Sequence, residues 1–145
     1  MKTIFLDIDG VLNNHTPLNN GYCGIDRERA ILFNGLLYDS ELVISSAWRY
    51  LVLNKYMTIL GFENLLLTHG LKCHNKVKNI TRQDRYIGEP REEQIKDYII
   101  LHKIKDYVVL DDLDLKIDNF YKVNNGLTEE DIKNIRKQYY DTKIY

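Results

Sequence analysis

Three stretches of this chain, Thr3-Ile-Phe-Leu-Asp-Ile8, Leu42-Val-Ile44 and Tyr107-Val-Val-Leu110, are apolar without alternation. A strand with one wet face alternates polar and apolar residues, whereas a strand covered on both faces does not. Between these runs the apolar residues recur at helical spacing. Ala30, Phe33, Leu36 and Leu37 share a face over 27–38, with Asp26 placed to cap it, and Ile95, Tyr98 and Ile99 share one from Glu92 to about Lys103. Buried strands alternating with helices predict an α/β fold: a mostly parallel sheet with helices on both faces.

The remaining elements are read with less contrast. Leu53, Tyr56, Met57 and Leu60 stand at i, i+3, i+4, i+7, and Gly61 occupies the place a helix C-terminus favours. Residues 62–90 read mostly as loop, with Leu65-Leu66-Leu67 as a strand. Phe120-Tyr-Lys-Val123 reads as a further strand. Thr128-Glu-Glu-Asp131 has the form of a capping box ahead of the stripe Ile132, Ile135, Tyr139. Residues 13–24, rich in Asn, Gly and Pro, form a loop beside the end of the first strand.

The length of 145 residues suits one domain over 1–145. No apolar run approaches the roughly 20 residues that span a bilayer. Asp7 and Asp9 interrupt the N-terminal apolar stretch where a secretory signal needs continuity, so the expected location is the cytoplasm. Cys23 and Cys73 are then expected as free thiols. A zinc set drawn from them with His69 and His74 lacks metal-binding spacing. The net charge of −1 excludes a uniformly basic nucleic-acid binder. It conceals two opposed segments: −4 over 106–118, from five aspartates against Lys116, and +4 over 72–85, from Lys72, Lys76, Lys78, Arg82 and Arg85 against Asp84, with Tyr86 adjacent. The basic segment is placed to steer a polyanion.

In parallel α/β sheets ligands bind beyond the carboxyl ends of the strands. Asp7, Ile8, Asp9 and Gly10 follow the first strand, Ser45 and Ser46 the second, and Asp111 and Asp112 the third. Aspartates also end strands simply because they start turns. Three strand ends that all carry carboxylates or hydroxyls are a different matter: converging carboxylates repel unless a cation lies between them, and Mg²⁺ is the economical partner for oxygen ligands.

Asp7-Ile-Asp-Gly-Val-Leu12, Val43-Ile-Ser45 and Val108-Val-Leu-Asp-Asp112 resemble, in that order, the first, second and fourth motifs of the haloacid dehalogenase (HAD) superfamily of phosphotransferases. Ile44-Ser-Ser-Ala-Trp-Arg49, Arg91-Glu-Glu-Gln-Ile95 and Gly126-Leu-Thr128 resemble, more closely, a small HAD branch found in some RNA-repair proteins. The resemblance implies a three-layer, Rossmann-like HAD core. It implies Asp7 as the nucleophile that forms an aspartyl-phosphate, and Asp9 as the acid that protonates the leaving oxygen and then the base that activates water. Gly10 lets the backbone approach the phosphoryl group. Ser45, or Ser46 if the strand runs one residue further, would bind a phosphoryl oxygen. Mg²⁺ would sit among Asp7, the backbone carbonyl of Asp9, and Asp111 or Asp112. Arg91 is best placed for the cation of the third motif, with Lys76 as the alternative. Arg49 would contact substrate or pair with an acidic residue, Trp48 would pack or recognise, and His15 in the loop would lie beside the site.

HAD enzymes commonly select substrates through inserted cap domains. Only 31 residues separate Gly10 from Leu42, and 62–90 is short, so no large cap domain is expected. An open site suits a phosphate ester on a large molecule, such as an RNA or DNA terminus. The rival readings are a phosphatase of small nucleotides or metabolites, and a non-catalytic HAD-like binding module. The second rival is disfavoured by the presence of both Asp7 and Asp9.

Overall fold

The apolar runs are strands of one parallel sheet. In chain order the strands are β1 (Lys2–Leu6), β2 (Ser40–Ile44), β3 (Val77–Ile80), β4 (Tyr107–Asp111) and β5 (Phe120–Lys122), and they lie side by side in the order β3-β2-β1-β4-β5. All four pairings are parallel. The structure, a computed structural model, describes residues 1–14, 24–81 and 88–141. His15, Pro17, Cys23, Arg82, Asp84, Arg85 and Tyr86 lie outside the described residues, as does most of the 13–24 loop.

The helices are α1 (Arg27–Leu37), α2 (Tyr50–Leu53), α3 (Ile59–Thr68), α4 (Arg91–His102) and α5 (Glu129–Ile135), with a 3₁₀ turn over Ala47–Arg49 and a π turn over Arg136–Tyr140. Asp26 caps α1 by accepting the Glu28 N–H. Thr128 and Asp131 close the capping box expected for α5. Successive strand residues point to opposite faces. Ile4, Leu6, Leu42, Ile44, Val108 and Leu110 face a core completed by Phe33 and Leu36 of α1, Phe62 and Leu66 of α3, and Ile135 of α5. Phe5, Val43 and Val109 face the other way, against Ile95, Tyr98 and Ile99 of α4. There the Phe5 ring meets Tyr98 edge-on at 5.6 Å and Tyr107 at 5.9 Å. Each such fully buried side chain contributes about 1.5–3 kcal/mol. Both faces of the central strands are therefore dry, which is why their sequences do not alternate. The arrangement is the capless HAD/Rossmann-like core anticipated above.

Two expectations need correction. Leu53, Tyr56, Met57 and Leu60 do not lie on one helix. The chain leaves α2 at Leu53, turns through Lys55 in the left-handed region (φ 63°), and restarts where Thr58 caps α3. Thr58 Oγ1 accepts the Gly61 N–H at 3.0 Å, so Gly61 sits in a first turn rather than at a C-terminus. Leu65-Leu66-Leu67 belongs to α3 and is not a strand. The strand of 62–90 is instead β3, in a part read as loop, an edge strand whose polar Lys78 and Asn79 hid it. Its first N–H, at Val77, is taken by the buried Glu63 carboxylate at 3.1 Å.

Candidate functional site

Register sets the site. Leu6 pairs with Ile44 on one side and Leu110 on the other, and Ile44 pairs with Ile80. The next residue of each strand therefore falls in one row at the carboxyl edge: Thr81, Ser45, Asp7, Asp111. Backbone bonds continue the pairing into the row, from the Asp7 N–H to Leu110 O, from Ser45 to Leu6 O and from Thr81 to Ile44 O, each at 3.0 Å. The row continues the Phe5/Val43/Val109 face, and α4 packs on that face. Its first residue, Arg91, is thereby delivered to the carboxylates. Arg91 Nη1 lies 2.9 Å from Asp111 Oδ2 and 3.4 Å from Asp7 Oδ1.

Asp7, Asp111 and Asp112 each bring a carboxylate oxygen to within 4.8 Å of the others, Asp7 and Asp111 buried and Asp112 half-buried. Burial, together with the neighbouring Asp111 charge, pushes the Asp7 carboxyl from its ordinary 3.8 up to about 8, against the opposing pull of Arg91. Burial raises Asp111 as well, with Arg91 and the Leu113 N–H resisting. For Arg91, burial disfavours the charged form, but Asp111 and Asp7 outweigh it and the guanidinium is held charged. Three carboxylates thus converge, two of them beside Arg91, in an all-oxygen donor set. An oxygen-seeking divalent cation fits it.

Asp9 is excluded from that group. Its Oδ1 accepts the Trp48 indole N–H at 3.1 Å and the Asn13 Nδ2–H at 3.0 Å, and Asn13 Oδ1 in turn accepts the Gly10 N–H at 2.8 Å. Gly10 has φ 82°, where a side chain would be strained. The Asp7/Asp9 pair is thus split between two environments by a turn, and that turn is tied down from afar. Gly126 donates its N–H to Gly10 O at 2.7 Å, and Leu127 to Val11 O at 2.9 Å.

The two serines part company. Ser46 accepts the Trp48 N–H at 3.1 Å and caps the 3₁₀ turn. The Ser45 hydroxyl is fully buried with no hydrogen-bond partner among the described residues, and Thr81, its neighbour in the row, is in the same condition. A buried hydroxyl costs free energy unless something hydrogen-bonds to it. Arg49 is buried and donates to Ser46 O at 3.1 Å and Gln94 Oε1 at 2.7 Å, bracing the turn against α4. Lys76 is not brought to the site. It precedes β3, and its Nζ donates to Ser40 O at the start of β2, on the opposite edge of the sheet. Lys72 also precedes β3 and Lys78 lies within it, so the described part of the basic segment does not gather beside the acidic row. Cys73 is a buried free thiol, pushed up to about 12 by burial and by Glu63. The His69 ring bonds Leu65 O, and His102 stacks on Tyr98 at 4.0 Å.

Sequence reasoning missed Asn13 and Thr81. The first sits in a stretch that reads as ordinary loop, and the second becomes visible only once β3 is placed. Among the described residues no helix is long and apolar enough to cross a membrane. No curated protein and no solved structure matches the chain. Residues 3–132 match the family described as the HAD domain in Swiss Army Knife RNA repair proteins. That match takes in the whole row from Asp7 to Asp111 together with Arg91 and Gly126, and the chain belongs to this family of HAD domains.

Proposed function

We propose that this chain is a Mg²⁺-dependent phosphomonoester hydrolase working through an aspartyl-phosphate, with the terminus of an RNA or DNA strand as its substrate. The observation that carries the reading is the separation of two aspartates of one motif: Asp7 turned into the acidic group, Asp9 held out of it by Trp48 and Asn13. In this reading an Asp7 oxygen attacks phosphorus and the bond to the leaving oxygen breaks, with Asp9 supplying the proton. Water then attacks the aspartyl-phosphate, Asp9 takes its proton, and Asp7 is released with phosphate. Arg91 and the Ser45 hydroxyl would hold phosphoryl oxygens, and Ser45 is an available donor because no other described residue uses it. Mg²⁺, held by Asp7, Asp111 and Asp112, would offset repulsion between the anionic nucleophile and the anionic ester. Family membership supports phosphatase-type chemistry, and the family's description supports RNA as the context.

The test is Mg²⁺-dependent phosphate release from oligonucleotides with 3′ or 5′ phosphates, mononucleotides and sugar phosphates, with wild-type and Asp7→Asn protein. The wild type is expected to prefer strand ends, and the variant to be inactive on all. Turnover by Asp7→Asn overturns the nucleophile. Equal rates on sugar phosphates overturn the nucleic-acid substrate and leave the metabolite phosphatase.

A further inference from the structure

Next to Asp9, and joined to it through Trp48, the 3₁₀ turn and α2 form an open, shallow cavity of about 380 Å³ lined by Ala47, Trp48, Tyr50, Leu51, Asn54 and Tyr56. The size falls in the range of small-molecule sites, about 300–1,000 Å³. Half of the lining residues are aromatic, and none carries charge. Trp48 belongs to both places: its indole N–H holds Asp9 at 3.1 Å while the residue lines the cavity. The Tyr50 ring is backed by the Arg49 guanidinium at 4.7 Å, and Arg49 is fixed by Gln94. Tyr56 is 77% exposed, a large aromatic left in solvent beside the opening.

A ligand spanning both places needs a phosphate at one end and, close by, a flat group that stacks on rings. The lining offers a second phosphate no cation of its own, and three aromatic rings in one lining suit a planar group. We propose that the cavity is a nucleobase site, taking the base of the nucleotide whose phosphate is presented to Asp7, with Asn54 available to its polar edge. Base–aromatic stacking is tolerant of sequence, so the site selects nucleotides over other phosphate esters without selecting one base strongly. The placement of the phosphate, and with it the choice of a nucleotide as the ligand, rests on the hydrolase reading above; the aromatic cavity does not.

Trp48 is the sole tryptophan of the chain, so its fluorescence reports on this cavity directly. The experiment titrates Asp7→Asn protein, in Mg²⁺, with adenosine 5′-monophosphate, a tetranucleotide ending in a phosphate, and ribose 5-phosphate. Saturable quenching by a base-bearing ligand and none by ribose 5-phosphate is expected. The exposed Tyr56, changed to alanine (Tyr56→Ala), should weaken the quenching ligand about 10-fold. Quenching by the tetranucleotide alone assigns the cavity to strand ends, and quenching by the mononucleotide alone assigns it to free nucleotides. Quenching by neither, equal quenching by ribose 5-phosphate, or an unchanged affinity in Tyr56→Ala overturns the base site. Failure of the hydrolase reading would show instead as absent phosphate release, with the fluorescence result still deciding the cavity.

Discussion

Removing the charge of Asp7 should stabilise the metal-free protein. An acid whose pKa is raised by folding is favoured in its protonated form, so the native state binds more protons than the unfolded chain between the two values. Stability is then fullest below the ordinary 3.8 and falls as pH rises toward about 8. At pH 7 the ordinary carboxyl is ionised by about three tenfold steps. At about 1.4 kcal/mol per step, up to about 4 kcal/mol is lost in holding Asp7 inside the acidic group. Asparagine keeps the shape and drops the charge. Its amide must still find partners beside Asp111 and Arg91, which leaves a net gain of about 1–2 kcal/mol. For a chain of this size that corresponds to a rise of about 3–8 °C in Tm. The assay is thermal unfolding of wild-type and Asp7→Asn protein in EDTA at pH 5 and pH 8. The variant should melt higher at pH 8, with the difference shrinking at pH 5, and added Mg²⁺ should raise the wild type more than the variant. A variant that melts no higher than wild type at pH 8 refutes the claim that crowded carboxylates strain this site.

Ser45→Ala removes a hydroxyl that has no partner among the described residues, so urea unfolding should move by no more than about 0.5 kcal/mol while substrate KM rises about 10-fold or more; a loss above about 2 kcal/mol would show the hydroxyl to be structural. Trp48→Phe keeps a ring and deletes the N–H that holds Asp9. It should lower kcat about 10-fold with KM little changed, and an unchanged kcat would remove Trp48 from the positioning of Asp9. Gly126→Ala places a side chain at φ 109° and drives its Cβ into Arg29, at a cost of about 1–3 kcal/mol; an unfolding midpoint equal to wild type would contradict the strain.

What could be read from the sequence was whatever leaves a one-dimensional trace. The central strands are dry on both faces and so read as unbroken apolar runs. Asp7, Ser45 and Asp111 could be grouped without coordinates, because each directly follows such a run in a parallel sheet. Edge strand β3 carries Lys78 and Asn79 and leaves no such trace, and its omission had consequences. Without β3, Lys76 could not be seen to precede a strand, which places it on the edge away from the site, nor Thr81 to follow one. The break at Lys55 was hidden because apolar spacing at 53–60 happens to suit a helix, while the Thr58 cap that restarts the chain is a local competition that spacing does not record. Trp48 illustrates a further limit: an indole lines a cavity with its carbon and holds Asp9 with its nitrogen, and residue type alone cannot divide the two.

The tie between the turn at Gly10 and the peptides of Gly126 and Leu127 has a consequence in time. A ribosome delivers Asp7 and Asp9 first and the two N–H groups that hold their turn more than a hundred residues later. At about 5–20 residues per second the nascent chain spends roughly 6–23 s with its first motif made and unsupported. Strand β4, with Asp111, also emerges late, and it adds a carboxylate that disfavours an ionised Asp7. The motif therefore takes its working geometry only after Gly126 and Leu127 have been made, and a chain released before Gly126 would carry the aspartates without the clasp that holds their turn.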